Sequence, residues 1–179
     1  MSQSRRGRSP LQQLWIASWA IGLVGCASGR TLSFPFDAAG ANPNSLNSAF
    51  SETSPAVAGR FLVFVSDRRG SQDVLLYDLQ ERRAIELPEL NAFDTITASP
   101  SISSDGRWIA FSASRQGRTD IYLYDRTTNQ LRNLTQALQL ETRNPQLSAD
   151  GSRIAFEIER SGQWDIAIYT RDGQPINVP

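Results

Sequence analysis

The sequence predicts an all-β chain, with three four-stranded antiparallel units over residues 54–179, a signal helix over 1–25 and a flexible tether over 26–53. Three observations predict it. The chain repeats itself at a period of 45 to 47 residues, which belongs to stacked supersecondary units. The repeated runs are short and rich in Val, Ile, Tyr and Phe, residues that suit a pleated, half-buried surface. Glycine-containing turns recur between those runs, at the positions a hairpin needs them.

The copies span 54–88, 99–135 and 144–178. Pro55, Pro100 and Pro145 mark their starts, 45 residues apart. Phe64, Phe111 and Phe156 recur in phase, as do Gly70, Gly117 and Gly162, then Asp73, Asp120 and Asp165, then Tyr77, Tyr124 and Tyr169. The first strand of each copy is expected just after the proline, at 56–58, 101–103 and 146–148. Asp105-Gly106 and Asp150-Gly151 form the next turn, and the first copy has a shorter Ala58-Gly59. Second strands follow at 60–65, 107–113 and 153–158, and third strands at 73–77, 120–124 and 165–169. Fourth strands are expected at 84–87, 131–134 and 175–178. Near-continuous apolar runs such as Ile121-Tyr122-Leu123-Tyr124 point to sheets covered on both faces.

The run SPSISSDGRWIAFSASRQGRTDIYLYD resembles the TolB-like propeller repeat, whose usual pattern is S-P-D-G-K-x-I-A-F, then D-I-Y-V-M-D and a final L-T. The resemblance covers residues 54–178 and implies that each unit is a propeller blade. It also implies a rigid binding scaffold of the periplasm that performs no chemistry. The chain departs from the family in having three blades instead of six. Its first copy lacks the Asp-Gly turn, and its third ends in RDGQPINV without L-T. Propellers have about 4–8 blades around an axis, so three leave open ends. A second chain completing six blades, a partner protein, or the segment 30–50 are three ways to cover them.

The N-terminus reads as an export signal. Arg5, Arg6 and Arg8 precede the apolar stretch 14–25. That stretch is shorter than the roughly 20 residues of a spanning helix and suits a secretory h-region. Leu23-Val24-Gly25-Cys26 resembles the lipobox of bacterial lipoproteins, which implies a diacylglycerol on the Cys26 thiol and membrane attachment through it. The alternative is an ordinary signal or uncleaved anchor with an incidental cysteine. Residues 27–53 are rich in Ser, Ala, Asn and Gly, as a tether is. Within them 31–36 reads as a candidate edge strand.

Composition excludes much chemistry. The chain has no His and one Cys, and all 18 basic residues are Arg. A Ser-His-Asp relay, His-ligated zinc, an intrachain disulfide and a Schiff-base lysine are therefore out of reach. Past residue 25 there remain 15 basic against 18 acidic residues, so nucleic acid is not an expected partner. No cofactor, metal or catalytic residue is expected, and no G-x-S-x-G elbow is present.

Residues recurring in every copy serve a need that every blade has. Arg68, Arg115 and Arg160 each stand five residues before Asp73, Asp120 and Asp165. They are expected to brace the hairpins as ion pairs, the alternative being solvated turn charges. Partner contacts are expected among residues that occur once. Asp94, Glu141 and Arg143 lie on segments that join blades. Trp108 and Trp164 read as contact residues or, more simply, as blade packing. The expected partner is an envelope protein or peptide. Service as an accessory propeller to an envelope hydrolase, or binding of glycan or cell wall, are the rivals.

Overall fold

The computed structural model describes residues 45–91 and 95–177, all within the unit that spans Phe34–Pro179. The first sheet is β1 (Glu52–Ala58), β2 (Phe61–Ser66), β3 (Asp73–Asp78) and β4 (Arg83–Ile85). The second is β5 (Ile96–Ile102), β6 (Trp108–Arg115), β7 (Arg118–Asp125) and β8 (Gln130–Asn133). The third is β9 (Thr142–Leu147), β10 (Arg153–Arg160) and β11 (Gln163–Thr170). Every pairing is antiparallel and sequential, because two- to six-residue turns can only fold a strand back on its neighbour.

Two features differ from expectation. The inner strands begin about four residues earlier and carry the proline inside them. Ser54, Ser99 and Asn144 take left-handed backbone angles, with φ of 51°, 49° and 53°. The ladder shifts register there, between Thr53 and Ala56 and between Ala98 and Ser101. A bulge leaves one position unpaired, and proline, which has no N–H, fits a position needing no ladder bond. Glu52 and Thr53, assigned to the tether from sequence, therefore belong to β1. The fourth strand of the last blade is reduced to a bridge between Tyr169 and Pro175, extended by Ile176 N–H donating to the Ile168 carbonyl. Pro175 cannot donate, which leaves that edge poor in ladder bonds. Val178 lies outside the described residues.

The core consists of two apolar layers between the sheets. Phe61, Val63, Val74 and Leu76 of blade 1 meet Ile109, Phe111, Ala113 and Tyr124 of blade 2. Trp108, Ala110, Ile121 and Leu123 on the other face of blade 2 meet Ile154, Phe156, Ile158, Ala167 and Tyr169 of blade 3. Alternation along the strands separates the two layers. Each fully buried aromatic or aliphatic side chain contributes roughly 1.5–3 kcal/mol from area alone.

The Asp-Gly turns set how closely blades approach. Gly106 has φ +70°, and a Cβ there would lie 2.3 Å from the Phe61 ring; at Gly151 it would lie 2.6 Å from Trp108. Each aromatic is flanked by guanidinium groups from its own blade and the next. Arg60 and Arg126 lie 5.1 and 4.8 Å from the Phe61 centroid, and Arg107 and Arg171 lie 4.6 and 4.5 Å from Trp108. The register that holds Phe61 and Trp108 holds Arg153 in blade 3.

Candidate functional site

The repeated Asp residues sit in hydrogen-bond networks within their blades; the expected pairing with the Arg five residues earlier is present in blade 3 and absent in blade 1. Asp73 accepts a bond from Ser71 Oγ at 2.7 Å. Asp120 Oδ2 takes Arg118 Nη2 and Asn133 Nδ2, both at 3.0 Å, and Asp165 Oδ1 takes Gln163 Nε2 at 2.9 Å. In each blade a partner stands two residues before the Asp, because residues i and i+2 share a strand face. Arg68 turns elsewhere, to Glu52 at 2.7 Å and to the carbonyls of Ser45 and Leu46 at 2.9 and 3.0 Å. It thereby fastens the incoming segment to blade 1 and does not brace Asp73. Arg160 lies 3.7 Å from Asp165, and that pair is half exposed. Arg115 lines a cleft of about 340 Å³ with Arg118, Asp120, Tyr122 and Asn133.

Asp120 also reaches the next blade. Its Oδ1 accepts Thr135 Oγ1 at 3.0 Å, Thr135 contacts Thr142 at 3.1 Å, and Thr142 Oγ1 donates to the Thr119 carbonyl at 3.1 Å. Glu141 accepts the Thr119 N–H at 3.1 Å. Glu141 is therefore a brace between blades 2 and 3. Trp108 is 8% exposed and packs on Gly151. It packs between blades 2 and 3 with Phe61 as its counterpart in blade 1, which is the packing alternative of its two readings and leaves it little exposed surface for a partner. Cys26 and Asp94 lie outside the described residues.

A second Arg–Asp system went unread in the sequence. Arg107 holds Asp125 through two bonds of 3.0 and 2.8 Å, and Arg60 lies 3.1 Å from Asp78. Each Arg precedes its Asp by 18 residues, from the start of one strand to the end of the next, so the signal was a spacing too long to look local. The hydrogen bond from Arg107, opposed by burial, pulls the Asp125 carboxyl down to about 2. Asp78 Oδ2 is fully buried without an aligned hydrogen bond; the charge of Arg60 is what it meets.

The remaining two candidates, Arg143 and Trp164, come together on the outward face of blade 3. Register places Arg153 opposite Thr170, Ala155 opposite Ile168, Glu157 opposite Ile166, and Glu159 opposite Trp164. Gln146 and Arg143 flank Ala155 and Glu157 from β9. Arg143 Nε donates to Glu157 Oε2 at 2.6 Å, and its guanidinium lies 3.8 Å from the Trp164 centroid. Asn144 Nδ2 donates to Glu157 Oε1 at 2.9 Å. Hydrogen bonds from Asn144 and then Arg143 hold the Glu157 carboxyl below its usual range. Ile166 is 69% exposed and Trp164 40%. The face is thus a fixed apolar stripe with an ordered charged margin, the composition that marks contact surfaces. Among the described residues no group of three or more His, Cys, Asp or Glu is placed to hold a metal.

The TolB beta propeller domain family matches residues 33–178. The chain belongs to the TolB propeller family. Among solved structures, TolB from Acinetobacter baumannii is 27% identical with a TM-score of 0.57, covering 70% of this chain and 31% of its own. The putative TolB from Agrobacterium tumefaciens is 19% identical with a TM-score of 0.57, covering 69% and 47%. The β-propeller domain of the Trilobed protease from Pyrococcus furiosus is 16% identical with a TM-score of 0.53, covering 72% and 42%. The chain spans less than half the length of each, and the two likenesses under 25% identity speak to fold alone. No curated protein matches the sequence.

Proposed function

We propose that this TolB-family chain is an exported module, held to a membrane through a lipid on Cys26, that binds an envelope protein or peptide and performs no chemistry. The observation that carries the reading is the outward face of blade 3. There Ile166 and Trp164 stand exposed on a sheet braced by Arg143, Asn144 and Glu157. A rigid, partly apolar surface of this kind binds by area and shape, and its ordering entropy is spent on folding and not on docking. Absence of His and Lys supports a binding role over catalysis.

Completion of a six-bladed ring by two chains meets a specific obstacle. Blade 3 would have to set Arg153, Glu157 and Glu159 against the apolar Leu62 and Phe64 of blade 1. Stripping water from charged groups against an apolar face is costly. The incoming segment also borders that end of blade 1, where Leu46, Asn47 and Pro55 line a groove of about 190 Å³ with Leu62 and Phe64.

Affinity capture from envelope extract with wild type, Ile166→Asp and Ile96→Asp tests the docking face. A protein retained by wild type and Ile96→Asp but lost at least about tenfold with Ile166→Asp supports it. Equal retention by all three overturns it. Labelled palmitate entering wild type but not Cys26→Ala supports the anchor, and no label in wild type overturns it.

A further inference from the structure

The docking face has an internal order that identifies a partner. Its stripe runs from a basic end at Arg153, through Ala155, Ile168 and Ile166, to an acidic end at Glu159 beside Trp164. Glu157 in the middle is already neutralised by Arg143 at 2.6 Å. Neither Arg153 nor Glu159 has a side-chain ion pair among the described residues. The Glu159 side chain engages the Gly162 N–H, and the Arg153 hydrogen bonds among the described residues are made by its backbone.

Reverse the direction of this stripe and lay it on itself. A two-fold axis across the strands stacks β10 on β10 and β11 on β11, running oppositely. Arg153 then faces Glu159 of the second copy, and Glu159 faces its Arg153. Ile166 faces Ile168, and Glu157 faces Ala155. Trp164 faces Thr170. No like charges meet, and the most exposed apolar side chain of the face is covered twice. Self-complementarity under a two-fold is the condition for an isologous interface, and complementary charge at its margin fixes register.

A second observation supports this. In blades 1 and 2 the register of Arg153 carries Phe61 and Trp108, and the register of Glu157 carries Val65 and Ser112. The changes in blade 3 are not simply to small polar residues. They place one cation at one end and anions at the middle and far end, and the middle anion brings its own cation. Sheet faces that pack on each other bury about 10 Å of side-chain layer between them, which Ile166, Ile168 and Trp164 can fill.

We propose that the outward face of blade 3 pairs with the same face of a second copy of this chain, back to back about a two-fold. The proposal rests on reading that face as a docking surface. It names the occupant, and it differs from ring closure, in which blade 3 would meet blade 1.

The test is the mass of the full chain by light scattering in mild detergent, as a function of concentration. Wild type should dimerise, Arg153→Glu should weaken dimerisation by about tenfold or more, and the double variant Arg153→Glu, Glu159→Arg should restore it. Near-ultraviolet circular dichroism of each variant reports whether it folds. Three results overturn the proposal: a monomeric wild type at about 100 μM, a dimer indifferent to Arg153→Glu, or a folded double variant that stays monomeric. A dimer held by the apolar N-terminus or closed into a ring gives one of the last two. Loss of extract capture by Ile166→Asp alongside a monomeric wild type would leave the docking surface standing and remove only its assignment to a second copy.

Discussion

Blades 2 and 3 have nearly the same sequence pattern and opposite environments. Strand β6 is buried at each of its first six residues, with apolar or small side chains on both faces. Strand β10 alternates, burying Ile154, Phe156 and Ile158 and turning Arg153, Ala155, Glu157 and Glu159 outward. The difference teaches what a sheet face needs when no other sheet among the described residues covers it. A sheet with two such neighbours is apolar on both faces, and one with a single neighbour carries a polar face, as capping repeats do. Blade 1 solves the same problem differently. It keeps Leu62 and Phe64 apolar and ties the incoming chain beside them, with Arg68 gripping the Ser45 and Leu46 carbonyls and Glu52.

The contrast can be broken most sharply at one register. Ala110 is fully buried between blades 2 and 3, and Ala155 is its counterpart on the open face. Ala110→Glu should destabilise by about 4–5 kcal/mol or leave the chain unfolded, because it inserts volume and an unpaired carboxylate into a filled layer. Ala155→Glu should stay within about 0.5 kcal/mol. Urea denaturation of both variants measures this, and similar losses would refute the assignment of faces. The two tryptophans sharpen the same point. Trp108→Ala should cost about 3–5 kcal/mol, as core aromatic truncations do. Trp164→Ala should cost less than about 1 kcal/mol, since it removes an exposed ring and its contact with Arg143, yet it should weaken partner capture.

The smallest expected effect is on acid stability. Asp125, held by Arg107, has a folded value of about 2, below its usual 3.8. A depressed carboxyl stabilises the fold fully above its unfolded value, and the contribution is lost as pH falls through the folded one. Melting temperature should therefore drop between about pH 4 and pH 2. Arg107→Gln should raise the Asp125 value and flatten part of that drop. At the corresponding place blade 3 has Ser152 and Thr170 and no such pair. A profile indifferent to Arg107→Gln would show that the pair carries no linkage.

Much of this architecture was readable before any coordinates. The Asp-Gly turns, the hairpin order and the strand faces follow from residue types at short separation. The proline bulges were not readable, because Ser54, Ser99 and Asn144 have no intrinsic need for a left-handed backbone. Asp120 illustrates the limit. Its recurrence marked it as important, but two of its partners, Asn133 and Thr135, lie 13 and 15 residues away and reach it only through the fold. Trp108 and Trp164 were alike in sequence, each lacking a like residue in the other copies. Only the placement of Gly151 against one, and the lack of a following sheet among the described residues beside the other, separated packing from contact.

The sequence by itself determined the blade: its period, its turns and the two-residue alternation that gives each strand two faces, because these are local consequences of backbone geometry. Tertiary structure decided which face meets water and which carboxylate meets which guanidinium. Those outcomes depend on what another part of the chain brings within a few ångströms, and no residue carries that information alone.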